Sequence, residues 1–330
     1  MTAARPVLLC LLAACLVACG EKPPTPKVDA STQAAAVPTA PAGKQIKIAL
    51  IMKAHGNPFF DEMERGARQA QKAQDVDLTV RTTDEETAIE QQVGLVEDEI
   101  TAHVDAIVIA PVDSKRLVPA LKKAQDAGIK IVNVDNRLDT VTMHERALTN
   151  VPFISIDNER AAYQSAKYIA DRITEPSEAA IFEGIRHAAN ANERKHGAER
   201  AFQANPKVHL VMSETANWSL DEAYELTRRS LTEHPQLKLI FCANDMMALG
   251  AIKYLKETHR HDVHIASFDA LEDAKRAIKA GDLTVTVDQQ ADKQGYEGIM
   301  AAIKAVHGEA LPKEIQLDAA LVTADSLKQK

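Results

Sequence analysis

The sequence predicts an α/β protein built from two doubly wound, Rossmann-like domains. Three observations carry that reading. Apolar, β-branched runs recur from about residue 45 onward, and amphipathic helical stretches separate most of them. The runs are nearly continuously apolar, as strands of a parallel sheet covered on both faces must be. About ten of them over roughly 285 residues are more than one ordinary sheet holds, so two domains fit better.

Ahead of that body stands a processing segment. Arg5 gives a short positive start, and Val7 to Val17 is an apolar stretch too short for a membrane span. It ends at Leu16-Val17-Ala18-Cys19, followed by Gly20. Small residues before a cysteine resemble a bacterial lipobox, in which the leader is cut before the cysteine and its thiol is lipidated. The resemblance implies a leader over 1–18, lipidation at Cys19, and a protein anchored to a membrane rather than spanning it. An ordinary signal peptide with an incidental cysteine is the alternative. Residues 19–44 carry Pro23, Pro24, Pro26, Pro38 and Pro41 and no apolar periodicity, which reads as a disordered tether. Cys10 and Cys15 would leave with the leader. Only Cys242 then remains in the body, in the run Leu239-Ile240-Phe241-Cys242-Ala243, as a buried, inert thiol with no disulfide partner.

The expected strands run, in order, over 47–52, 78–82, 106–110, 130–134, 154–156, 179–183, 208–213, 239–243, 263–268 and 283–287. Helical stretches between them include 61–74, 86–101, 114–126, 159–173 and 220–233. Ligands of open α/β sheets bind beyond the carboxyl ends of the strands, so the strand exits are the residues to read.

The first exit is the most informative. Lys53-Ala54-His55-Gly56-Asn57-Pro58-Phe59-Phe60 sets two adjacent aromatics at a strand-to-helix turn in a chain with only 4% aromatics. Rings beside an amine and an amide can grip a small polyhydroxylated molecule, stacking on its apolar face and pairing its hydroxyls. A hydrophobic staple for the next helix is the other reading. Later exits bring Asp135-Asn136-Arg137, the single tryptophan Trp218, Asn244-Asp245, Asp269, and Asp288-Gln289-Gln290. Any one Asp or Asn there could simply cap the following helix. Together, ionised Asp accepts, Lys donates, and Asn and Gln do both, a mixture suited to neutral hydroxyl groups.

Other chemistries find little support. A net charge of −8 with no basic cluster argues against nucleic acid. His259, His261 and His264 lack an acidic or cysteine partner at ligand spacing and read as a solvated loop, so neither a metal nor a cofactor is expected. The G-x-G-x-x-G and G-x-x-x-x-G-K loops are absent, and no nucleophile sits beside a base, so no enzyme is expected.

From about residue 46 to the C-terminus the chain resembles periplasmic sugar-binding proteins of the ribose-binding class, which feed ABC transporters. The blocks that carry the resemblance are Ile48–Phe60, Ile109-Ala110-Pro111, Val132–Asp135, Ser155–Asn158, Glu183-Gly184, Arg194–Ala198, Phe241–Gly250, Phe268-Asp269 and Thr286–Gln289. Lys53 ahead of Asn57-Pro58-Phe59-Phe60, with the Phe241–Gly250 block, makes it most similar to allose-binding proteins. The resemblance implies a type I periplasmic binding protein fold with three crossings between domains, near Ser155, between Asp288 and Gln290, and near Asp318 to Leu321. The N-terminal domain would then be 45–155 plus 290–318, and the C-terminal domain 156–289 plus 319–330.

It also implies sugar contacts from Lys53, Asn57, Phe59, Phe60, Asp135, Asn136, Asn192, Trp218, Asn244, Asp269 and Gln289. Phe60 and Trp218 would sandwich the sugar ring, and Trp218, Asn192, Asn136 and Asp135 would face the octet from across the cleft. Asn136 and Asn192 stand where ribose binders carry arginine, and the loop Ile185-Arg186-His187-Ala188-Ala189 is bulkier than usual. The implied partners are a monosaccharide, an ABC permease with its ATPase, and a membrane reached only through the lipid, for a periplasmic monomer. A sensory protein handing a sugar or polyol signal to a chemoreceptor or histidine kinase needs the same closure and is the alternative. A sugar-responsive transcription regulator shares the core, but a lipobox stands where its DNA-binding helices would be.

Overall fold

The computed structural model describes residues 45–54 and 56–328, so the expected leader, the tether and lipidated Cys19 lie outside the described residues. Two six-stranded sheets organise what is described. The first contains β1 (Lys47–Ile51), β2 (Asp77–Arg81), β3 (Ala106–Ile109), β4 (Lys130–Val134), β5 (Phe153–Ile156) and β11 (Glu314–Leu317), in the spatial order β11-β5-β4-β3-β1-β2. All its pairs are parallel, with Ile48 opposite Ala106 and Ser155 opposite Gln316. The second contains β6 (Ser177–Glu183), β7 (Val208–Thr215), β8 (Leu237–Cys242), β9 (His264–Ala266), β10 (Val285–Asp288) and β12 (Ala320–Thr323), in the order β12-β10-β9-β8-β6-β7. Only its β10–β12 edge is antiparallel.

Residue alternation explains why both sheets are covered twice. In β1, Ile48 and Leu50 face one hydrophobic cluster while Ala49 and Ile51 face another. In β3, Val108 faces the first cluster and Ile107 and Ile109 the second. A strand buried on both faces has no polar side to display, which is why these runs read as continuously apolar. Helices α1 (Pro58–Gln74) and α10 (Ala291–Val306) pack backbone to backbone. A Cβ on Gly66 would lie 1.7 Å from the Asp292 carbonyl oxygen, and one on Gly295 2.0 Å from that of Met63. Glycine on both helices permits this contact, which lays α10 on the first sheet.

The chain crosses between sheets three times: after β5, after β10, and between β11 and β12. Ser155 lies inside β5, and the first crossing follows Ile156. Among the described residues twelve strands replace the expected ten, because β11 and β12 are four-residue, half-exposed edge strands, β11 alternating polar and apolar residues and β12 offering only Ala320-Leu321-Val322 before Thr323. Two helices begin later than their periodicity predicts. α2 is Ile89–Thr101, not from 86, and α3 is Val118–Asp126, not from 114. Local side-chain bonds win there: Asp113 Oδ1 accepts from the Lys115 and Arg116 amides at 2.7 and 2.8 Å, and Thr83 Oγ1 donates to the Glu85 carbonyl at 2.9 Å. Cys242 is buried in β8, where desolvation pushes its thiol well above the usual range.

Candidate functional site

The carboxyl ends of both sheets open onto one pocket, lined by Lys53, Asn57, Phe59, Phe60, Glu86, Asp135, Asn190, Arg194, Trp218, Asn244, Asp269 and Gln289. Lys53 leaves β1 and Asp135 leaves β4. Their side chains are almost wholly buried and pair at 2.9 Å, Nζ to Oδ2. The Lys53 ammonium also lies 5.8 Å from the centroid of the Phe60 ring, which meets Phe59 edge-on at 5.1 Å. Asn57 does two jobs. Its Oδ1 accepts from the Phe59 amide and caps α1, while its Nδ2 donates to Glu86 Oε1 at 2.9 Å. Desolvation raises the Glu86 carboxyl, and Lys53 and Asn57 oppose that rise.

The second sheet supplies Arg194, from helix α6 (Ala189–Gln203), as a buried hub. Its guanidinium donates to Asn158 Oδ1 at 2.9 Å, the Ala243 carbonyl at 2.9 Å and Gln289 Oε1 at 3.0 Å. It lies 3.7 Å from Asp269 Oδ1 and 4.0 Å above the Phe268 ring. Burial raises the Asp269 carboxyl well above its ordinary range, and Arg194 pulls it back. Gln289 Nε2 donates to Asp269 at 2.6 Å. Asn244 resembles Asn57 in its double duty: Oδ1 caps α8 (Asp245–Glu257) through the Met247 amide, and the residue lines the pocket.

Three lining residues sit at positive φ without being glycine: Asp135 at 60°, Trp218 at 64° and Asp269 at 114°. Such backbone costs about 1–3 kcal/mol each and is held by its surroundings. The surroundings are visible. Asn133 Oδ1 accepts from the Leu138 amide and its Nδ2 donates to the Asn136 carbonyl, fixing the turn after β4. Trp218 lies over Gly184, where an added Cβ would be 2.1 Å from its ring carbons.

Nine of the eleven residues expected at the site line this pocket; Asn136 and Asn192 do not. Asn136 is fully buried, donating to the Pro111 carbonyl at 2.8 Å. Asn192 turns back on its own helix entrance, donating to the Arg186 and Ala188 carbonyls. The expected division of the walls also needs correction. β4 pairs with β3 and β5 in the same sheet as β1, so Asp135 and Asn136 stand on the octet's own wall. Trp218, Arg194, Asn190, Asn244, Asp269 and Gln289 face them. Arg186 is exposed and pairs with Glu183.

Glu86, Asn190 and Arg194 were missed by the sequence reading. Glu86 and Asn190 follow no strand directly, and Arg194 sits inside a helix, so reading strand exits could not reach them. Among the described residues no helix is long and apolar enough to cross a membrane, and no group of His, Cys, Asp and Glu is arranged to hold a metal.

Comparison with known proteins places this geometry. Residues 48–310 match the family described as the periplasmic binding protein domain. The D-ribose/D-allose-binding protein of Pseudomonas aeruginosa is 36% identical over 321 residues, 95% of this chain and 97% of that protein. The D-allose-binding periplasmic protein of Escherichia coli is 29% identical, over 82% of this chain and 87% of its own length. A periplasmic solute-binding protein of an ABC transporter from Actinobacillus succinogenes, solved with bound D-allose, superposes with a TM-score of 0.82 at 35% identity. The match covers 87% of this chain and 100% of that one.

Proposed function

Because the chain belongs to the periplasmic binding protein family, whose members bind solutes and are not enzymes, we propose that it captures one neutral monosaccharide for an ABC importer. The observation that carries the reading is charge pairing inside the pocket. Both cations are already matched, Lys53 with Asp135 and Arg194 with Asp269, so a sugar acid or sugar phosphate finds no spare positive charge. Rings, amides and paired ions together suit a polyol whose hydroxyls both donate and accept. The lining side chains are nearly all buried, so an oligosaccharide has no way out.

An aldose of the D-allose or D-ribose type is the substrate class, in keeping with the names of the P. aeruginosa and E. coli relatives and the D-allose held by the A. succinogenes protein. Phe60 and Trp218, from opposite walls, stack on its ring. Asp135, Asp269, Lys53 and Arg194 bond its hydroxyls. The protein works outside the cytoplasm as a monomer, held at the membrane by lipid on Cys19 through the 19–44 tether, and passes its sugar to a permease. A thermal-shift panel tests the substrate class. D-allose or D-ribose raises the melting temperature by several degrees at millimolar concentration. Sugar 6-phosphates and uronates do not. A shift with the charged sugars alone would refute the reading.

A further inference from the structure

Four hydrogen bonds join the two sheets' loops directly at the pocket rim. The Ser114 amide donates to the His187 carbonyl at 3.2 Å, and the Ala189 amide donates to Ser114 Oγ at 3.0 Å. The Asn190 amide donates to Asn136 Oδ1 at 3.3 Å, and Asn190 Nδ2 donates to Asp135 Oδ1 at 3.2 Å. Ser114 Oγ in turn faces Asn136 Oδ1 at 3.4 Å. Ser114, Asp135 and Asn136 follow strands of the first sheet, while residues 187–190 follow β6 of the second.

The sequence at the start of α6 explains why these bonds matter. The N-cap is Ala188, which has no side-chain acceptor, so the first amides of the helix lack a partner on their own chain segment. Ser114 and Asn136 supply the acceptors from across the cleft. Asn190 is 2% exposed, lines the pocket, and keeps a buried Oδ1 with no protein partner. That oxygen is placed to accept a ligand hydroxyl, so one residue joins the rim bridge to the bound molecule.

We propose that Ser114 and Asn136 are positioning residues for the bound state: they hold Asn190 and the start of α6 against the first domain, and so set how long a sugar stays enclosed. They touch no ligand. The bonds exist only when the walls meet, so their loss destabilises the closed form and leaves the open form alone. This rests on the cleft binding a neutral sugar, and the test separates the two claims.

Ser114→Ala removes the hydroxyl, and Ser114→Thr keeps it. Stopped-flow Trp218 fluorescence with D-allose gives both rate constants. For Ser114→Ala, dissociation accelerates about three- to tenfold while association stays within about twofold, and Ser114→Thr returns to wild type. Hydrogen exchange at saturating sugar, where the walls meet, gives an independent reading. In Ser114→Ala the Ala189 amide, which loses its acceptor, exchanges at least about threefold faster, while amides 194–202 are unchanged. If D-allose binds wild type and Ser114→Ala leaves its dissociation rate unaltered, the proposal is overturned. If neither D-allose nor D-ribose binds, the sugar reading fails by itself, and exchange with whichever ligand of the thermal-shift panel does bind decides the bridge: faster exchange confined to Ala189 supports it, and unchanged exchange overturns it.

Discussion

Asp269 sits at φ 114° with Arg194 at 3.7 Å and Gln289 at 2.6 Å, in backbone that only surrounding bonds can hold. On the proposed reading this carboxyl serves recognition rather than folding. Asp269→Ala therefore lowers sugar affinity by about 10–100-fold, the worth of a charge-assisted hydrogen bond, with the fold intact by circular dichroism. Unchanged affinity would remove it from the site. Gly184→Ala acts from beneath. Its Cβ would meet the Trp218 ring at 2.1 Å, so the ring must move, and affinity for D-allose falls at least about tenfold in calorimetry. At this scale the sequence was legible wherever a residue leaves a strand: Lys53, Asp135, Asn244, Asp269 and Gln289 all do. It was not legible for Asn136, because an amide that ties neighbouring loops together and one that waits for a ligand read alike as letters.

The loop from Ser267 to Leu271 shows how an element holds such a residue. Asp245, buried at the first turn of α8, accepts from the Ser267 hydroxyl, from the Thr286 hydroxyl at 2.8 Å and from the Leu271 amide at 2.8 Å. Burial pushes its carboxyl up to about 7, against those same bonds. The sign follows from linkage. The native carboxyl keeps its proton up to about pH 7, while the unfolded chain gives it up near 3.8. Between those values the native state binds more protons, so this contribution to stability is full below about pH 4 and lost as pH rises to about 7. Asp245→Asn carries no such titration. Its melting temperature relative to wild type rises from pH 4.5 to pH 8 in scanning calorimetry, and a constant offset would contradict this. Elements also mark where periodicity misled. The expected helices from 86 and from 114 both begin three or four residues later, and the turns left over hold Glu86 and Ser114, one lining the pocket and the other bridging its rim. Apolar spacing reports what a helix buries, and says nothing of a first turn given over to local polar bonds.

Across the described residues, two sheets, parallel but for one edge, with three crossings bring eight separate chain segments to one pocket. The architecture was readable because doubly buried strands are continuously apolar. The edge strands β11 and β12, which complete the last crossing, were not, since an edge buries only part of itself. At the other end of the chain, Cys19→Ser should release the protein from membranes into the soluble periplasmic fraction, and persistent membrane association would argue against a lipid anchor. The central claim is that a neutral sugar is enclosed between the two walls, and Trp218 is the only tryptophan in the chain. Its fluorescence, titrated with D-allose and D-ribose, reports from the cleft itself. A saturable change with one sugar per protein, absent with the corresponding 6-phosphates, is the predicted result. No change with either neutral sugar, or saturation by the phosphates instead, would contradict it.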